Sequence, residues 1–439
     1  MRTTRRRVPL VAGAPVLGAA AALVPAAGHA QAPSPAAARL TRGPYLQLAS
    51  SNSVTLLWRG QAPASAASLE FRPAGDSAAG WSTVASLSRT VSHSLALAGL
   101  EPDTRYEYRL RMDGALAFEG GSFRTLPPPE AEDLDFVHMA DNQTGHAPHQ
   151  QLVRRILQEQ RPPALIIHAG DQCENGSRSE QWDQWFQIEH ELMARVPLFP
   201  CLGNHEEDSP LFFEHFRFPA NGSGQGHGRW YSFDAGPAHF VALDVVFSDT
   251  EPGSAQYRWL DQDLAQTDRK WKFVYFHYPP YNASPHHRSN LRLRTALEPL
   301  FLRHKVSAVF NGHGHLYERA YGASAAPNAP PMLWIVSGGG GGVPQPPGRE
   351  AFTQYTEVTF HFLRVQIRGE RLSITGVRPD GSEFDRFEAR LNSESRLEPL
   401  TESPVVSGPV VRQAGAIDFL TSPRGAIVAG YQAVASLAA

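Results

Sequence analysis

The chain has 439 residues, enough for two or three domains, and carries a net charge of -3 with 19% charged residues. So small and mixed a charge excludes a global polyanion binder, and no nucleic-acid partner is expected. Two cysteines, Cys173 and Cys201, are too few for a disulfide scaffold. In chain order, residues 1–32 combine a basic start, an apolar middle and a small-residue end, the layout of a secretory signal peptide. Thr4-Arg5-Arg6-Arg7 resembles a twin-arginine export signal, so a periplasmic or secreted bacterial protein is expected. Pro9, Pro15 and Pro25 break the apolar part, which argues against a retained anchor, and no later segment is apolar enough to span a bilayer.

Residues 33–40 are rich in Pro, Ala and Ser and read as a linker. Residues 41–127 then alternate like half-buried strands, as in "SVTLLWRG" and "YEYRLRM", with Gly, Pro, Asp and Ser between them. In "LEPDTRYEYRL" a turn delivers Tyr106 into a strand, which resembles the tyrosine corner of immunoglobulin-like and fibronectin type III sandwiches. After "LPPPEAED", residues 134–391 alternate strands with helices, the pattern of an α/β layered domain. Strands are expected at "LDFVHMAD", "ALIIHAGD", "PLFPCLGNH", "HFVALDV", "KFVYFHYP", "VSAVFNGH" and "MLWIVSGG". Helices are expected at "HQQLVRRILQEQ", "QWDQWFQIEHELM", "AQYRWLDQDLAQ" and "LRLRTALEPLFLRH". Trp182 and Trp185, at helical spacing, read as core. Residues 392–439 form a C-terminal extension with no assigned role.

The chemistry lies where the strands end. Asp141, Asp171, Asn204, His205, His277, His313 and His315 all fall at or just past the carboxyl ends of expected strands, the edge where open α/β sheets bind ligands. Singly, an Asp there is a turn residue or helix cap, and a lone His a satisfied core group. Together they form a hard and borderline donor set without a thiolate cluster, suited to Fe, Zn or Mn. So many donors exceed what one ion needs. Two ions about 4 Å apart can hold a hydroxide and clamp both oxygens of an in-line displacement at phosphorus. In extended backbone the imidazoles of "GHGH" would point the same way, one toward each ion.

The ordered set "AD…GD…GNHE…H…GHGH" resembles the calcineurin-like metallophosphoesterase superfamily. "GPYLQL…VTLLWR", "SNLRLRTALEPLF" and "GHGHLYER" resemble its purple-acid-phosphatase branch, over roughly residues 41–390. The resemblance implies a four-layer α-β-β-α domain behind an all-β immunoglobulin/fibronectin III-like sandwich. It implies a phosphatase acting on small phosphate monoesters through two metal ions. Asp171 would bridge the ions, Asp141 and His315 would bind the first, and Asn204, His277 and His313 the second. His205 would serve the leaving group, oriented by Glu206. His286, His287, Arg288 and Asn290 are candidates to touch the substrate.

Two departures stand out. Plant and animal purple enzymes carry a ligating tyrosine where this chain has Glu174, and the wider superfamily carries a histidine where it has Gln143. Gln143, Glu174 or water therefore has to complete the first ion, and a protein that is not purple is expected. The same residues fit a phosphodiesterase or nucleotide hydrolase. A reading of another class is an adhesion or binding protein with a decayed metal site. Cys173 and Cys201 lie beside the motifs, either disulfide-bonded or, the favoured reading, as unpaired packing residues. "SGGGGGV" lacks the Lys-Ser/Thr of a P-loop and reads as close backbone packing.

Overall fold

Alternating burial shows how these strands were selected. In Arg105–Met112, Tyr106, Tyr108, Leu110 and Met112 are buried and the residues between them are not, the period of two that a half-covered strand requires. The computed structural model describes residues 39–400, apart from 77, 79, 224–227 and 323–328. The expected leader at 1–32 and most of the C-terminal extension lie outside the described residues.

Seven strands build the N-terminal sandwich. Leu40–Gln47, Ser53–Ala64 and Thr90–Ala98 form one antiparallel sheet. Ser82–Ser86, Ala67–Pro73, Arg105–Met112 and Ala115–Arg124 form the other. The Tyr106 hydroxyl accepts the Glu101 backbone N–H at 2.9 Å, so the expected tyrosine corner is present.

Two seven-stranded sheets follow. The first runs Leu198–Pro200, Leu165–His168, Asp133–Met139, Phe362–Arg368, Arg371–Val377, Glu383–Leu391, Leu397–Pro399. The second runs Tyr231–Ala235, Ala238–Ala242, Trp271–Phe276, Ala308–Asn311, Leu333–Ser337, Tyr317–Tyr321, Thr353–Glu357. All seven strands expected between residues 134 and 340 form. Leu397–Pro399 pairs with Glu383–Leu391, so the sheet runs past the boundary placed at 391.

Neighbouring residues on the second sheet's strands face opposite layers. Phe240, Phe273 and Phe310 meet Phe136 of the first sheet, with ring centres 5.0, 5.3 and 6.2 Å apart. The next residues, Val241, Val274 and Val309, pack with Leu260 and Leu264 of the helix Ala255–Gln266 and with Leu297 and Leu300 of Leu291–Arg303. Helices His146–Leu157 and Ser179–Met193 pack against each other beside the first sheet and share its core. The result is a four-layer α-β-β-α stack.

The sandwich is tied to the part of this stack that leads into the strand-end loops. Gln47 Nε2 donates to the Leu198 carbonyl at 3.0 Å, and the Tyr108 hydroxyl donates to the Ala194 carbonyl at 2.8 Å. The Arg42 guanidinium lies over the Phe186 ring and pairs with Asp183. Trp182 and Trp185 are buried core residues, as expected. Cys173 and Cys201 are buried free thiols, not a disulfide, and burial raises both pKa values.

Candidate metal centre

The parallel strands of both sheets end on one edge, and the loops leaving them are stitched together by backbone hydrogen bonds. The Asp141 N–H donates to Gly170, and the Asn142 N–H donates to Asp171. The Gly340 and Gly342 N–H groups donate to Ala140 and Asp141, and the Gly312 N–H donates to His277. To aim their side chains inward, Asp141, Asp171 and His313 adopt left-handed backbone, with φ of 61, 58 and 67°. That conformation is uncommon outside glycine, and it concentrates at functional sites. His313 corrects one expectation. "GHGH" is not extended: Gly314 N–H turns back to Gly312 and Leu316 N–H to Gly314.

Close packing around the carboxylates explains the glycines. A Cβ on Gly203 would lie 2.2 Å from Asp171 Oδ1, and one on Gly312 or Gly338 would lie 2.5 or 2.7 Å from Asp141 Oδ2. The run Gly338–Gly342 is close packing of backbone, as expected. Each member lies against a different neighbour, and Gly342 backs onto the His315 ring.

Asp171 stands at the middle. His277 Nε2 is 3.1 Å and His205 Nε2 3.9 Å from its Oδ2, while its Oδ1 accepts the His205 backbone N–H. Ligand atoms of Asp171, His277 and His313 all lie within 4.8 Å of one another. Asn204 Oδ1 is 3.0 Å from His277 Nε2. On the other side His315 Nε2 is 3.5 Å from Asp141 Oδ1. The opposite nitrogens are fixed by carbonyls: His277 Nδ1 faces Ala169 and His315 Nδ1 faces Val343, at 2.9 and 2.8 Å. Both Nε2 atoms are thereby turned to the carboxylates, the usual way a ligating histidine is oriented.

The electrostatics are those of a cation site. Burial opposes charge on His277, but Asp171 outweighs it and lifts the pKa to about 9. His315 is likewise raised against burial, by Asp141 and the Val343 carbonyl. Burial raises Asp171, yet His277 and His205 hold it at about 2. His313 moves oppositely: burial, then His277 and His287, lower it to about 2. Without an ion, protons are held between imidazole and carboxylate. Both carboxylates are buried, and among the described residues neither has a Lys or Arg partner. A cation fits this donor set, and its charge would take the place of those protons.

Residues 134–317 match the family model for calcineurin-like phosphoesterases. The chain is similar to purple acid phosphatase 23 of Arabidopsis thaliana, 31% identical over 57% of this chain and 62% of that protein. Purple acid phosphatase 1 of Ipomoea batatas is 28% identical over 52% of this chain and 51% of that protein. The chain thus spans little more than half the length of these curated relatives. A purple acid phosphatase from yellow lupin, Lupinus luteus, shares the fold at a TM-score of 0.71 and 18% identity, over 81% of this chain and 75% of that one. A PhoD structure does so at 0.63 and 14%, over 86% and 95%.

Residues 134–317 carry a calcineurin-like phosphoesterase domain, and the chain is similar to purple acid phosphatases.

Within the phosphoesterase domain, the strand-end set converges as described, whereas three other residues stand differently from expectation. Glu206 does not hold the His205 ring. Its carboxylate accepts the backbone N–H groups of Asp171, Gln172 and Gly203 at 2.9, 2.8 and 2.6 Å, pinning the two loops together. Burial and then Asp171 raise its pKa against those three donors. The His205 Nδ1 donates instead to the Glu174 carbonyl at 2.7 Å. Glu174 thus meets the site through its backbone, and its side chain is exposed. Asn290 caps the helix Leu291–Arg303 by accepting the Leu293 N–H, so its oxygen is already engaged.

His287 lies on the His313 ring at 3.8 Å, with His286 beside it at 4.5 Å, and Arg288 is exposed on the same loop. Burial and then His286 lower the His287 pKa to about 4. Tyr278 also borders the site, its ring 4.5 Å from that of His313. Its place directly after His277 at a strand end was the available sequence signal. Gln345, whose Oε1 accepts the His315 backbone N–H, gave none. A cavity of about 410 Å³ beside Pro127 and Phe199 lies elsewhere and brings no comparable donor set.

Proposed function

We propose that this protein is an exported, dinuclear metal-dependent phosphomonoesterase. The observation that carries the reading is the buried pair Asp141 and Asp171, faced by His277, His313, His315 and Asn204 with no Lys or Arg partner among the described residues. Asp171, Asp141 and His315 would hold one ion, and Asp171, Asn204, His277 and His313 the other. Bound there, the ions supply positive charge that polarises a phosphoryl group and activates water.

The chain's own residues supply the rest. His205 keeps 31% of its side chain exposed, and its Nδ1 is held by the Glu174 carbonyl. Its Nε2 is therefore free to give a proton to the leaving oxygen. Burial lowers its pKa, but Asp171 and the Glu174 carbonyl outweigh that and raise it, which favours the protonated ring. Glu206 fixes the loops on which Asp171 and His205 sit. His287 and Arg288 border the open side, where a small phosphate ester would enter.

Export rests on the leader-like residues 1–32; among the described residues no helix is long and apolar enough to cross a membrane. The deciding experiment is hydrolysis of p-nitrophenyl phosphate and of its bis ester by one preparation of measured metal content. The monoester should be cleaved faster and activity should disappear with chelation. Faster diester cleavage would make a phosphodiesterase of it, and activity that survives chelation would end the metal reading. With Glu174 at the tyrosine position, the metal-loaded protein should show no visible charge-transfer band, and a violet colour would refute that.

A further inference from the structure

The dinuclear reading, on which this inference rests, leaves the first ion short of protein donors: only Asp141, Asp171 and His315. Gln143 is two residues past Asp141 and 2% exposed. Its Nε2 lies 3.3 Å from Asp171 Oδ2 and 3.0 Å from His315 Nε2, two atoms that would both touch that ion. Its Oε1 is buried and has no hydrogen-bond partner. The amide therefore leans against the ion position with its donor end, while its best acceptor is orphaned, a costly arrangement for a buried group.

Turning the amide half a revolution exchanges oxygen and nitrogen without changing its shape. A cation repels the N–H groups and attracts the carbonyl oxygen, so ion binding drives that rotation. Gln143 also lines a polar recess of about 120 Å³ with Gln172, His149 and Glu174, where the displaced NH2 would find acceptors. Gln172 Oε1 and His149 Nδ1, both buried, lack partners there and can accept from it. Glu174, the competing donor, is exposed, and its carbonyl rather than its carboxylate faces the site.

We propose that Gln143 is the missing ligand, giving its side-chain oxygen to the ion held by Asp141, Asp171 and His315. A neutral amide brings less negative charge than an ionised tyrosine. The first position should accordingly favour a divalent over a trivalent ion.

The test is calorimetric titration of the metal-stripped full-length protein with Zn²⁺, alongside elemental analysis. Wild type should take up two ions. Gln143→Met, matched in length but without a hard donor, should weaken one of the two by at least about tenfold and leave the other unchanged. Gln143→Glu should keep or tighten it, and Glu174→Ala should leave both. Wild-type uptake by Gln143→Met, or loss in Glu174→Ala instead, overturns the assignment. If the Met variant does not fold, judged by circular dichroism of the ion-free protein, weaker binding by Gln143→Glu overturns it. A wild type that takes up a single ion fails the dinuclear reading itself.

Discussion

Two of the histidine–aspartate clusters in the phosphoesterase domain are built on opposite plans. At His239 one imidazole sits between two carboxylates, with Nδ1 2.7 Å from Asp234 and Nε2 2.8 Å from Asp263. Asp234 pairs further with Arg269, and Ser232 donates to Asp263. Every group there has its partner, and the backbone is regular: Asp234 and His239 face each other across an antiparallel strand pair. At the strand-end centre the ratio is reversed. Two carboxylates face four imidazoles, three residues adopt left-handed backbone, and Gln143 keeps an orphaned oxygen. A cluster that closes on itself is structural. One that is held in strain and left incomplete is arranged for something that binds.

Substitutions should separate the two plans. The largest effect belongs to Asp171→Asn, which should cut phosphate ester hydrolysis by at least about a thousandfold, whereas His239→Gln should leave the specific activity of folded protein unchanged. Comparable losses in both would erase the distinction. Next, His205→Ala should lower kcat by roughly a hundred- to ten-thousandfold with bound metal unchanged, as read by steady-state kinetics beside elemental analysis. Gly203→Ala should lose activity and metal together, because the added methyl needs the space of Asp171 Oδ1; wild-type metal content there would show that the loop gives way.

The smallest effect is on stability and depends on pH. Burial lowers the His239 pKa, but its bonds to Asp234 and Asp263 outweigh that and raise it above 6.5. Its contribution is therefore fully present below about pH 6.5 and fades as pH rises through the folded-state pKa. Thermal melts of wild type and His239→Gln should differ by about 1–3 kcal/mol in acid and converge in alkali. A gap that widens with pH would show that the ring is neutral in the fold.

Much of this was legible in the chain because topology does the gathering. Parallel strands must end on one edge, so Asp141, Asp171, Asn204, His277 and the two histidines of "GHGH" could be brought together from strand ends alone. What escaped depends on contacts between distant segments. Glu206 looked like a partner of its neighbour His205, but its carboxylate is taken by N–H groups on a loop more than thirty residues earlier. Asn290 looked like a loop residue facing substrate until the helix behind it claimed its side chain. The glycines at 338–342 signalled tightness, but not that Asp141, Ala140, Asn142 and His315 were what they had to clear.

The hydrogen bonds from Gln47 and Tyr108 to the Leu198 and Ala194 carbonyls bear on how the molecule comes apart. They join the sandwich to the segment that leads into Asn204 and His205, and both bonds are buried. Loosening that seam would give up both buried bonds and the packing around them beside the strand-end loops, so neither unit gains by melting first. The sandwich and the layered domain should therefore unfold in one cooperative transition. Bound metal, though it touches only one of them, should raise the melting temperature of both.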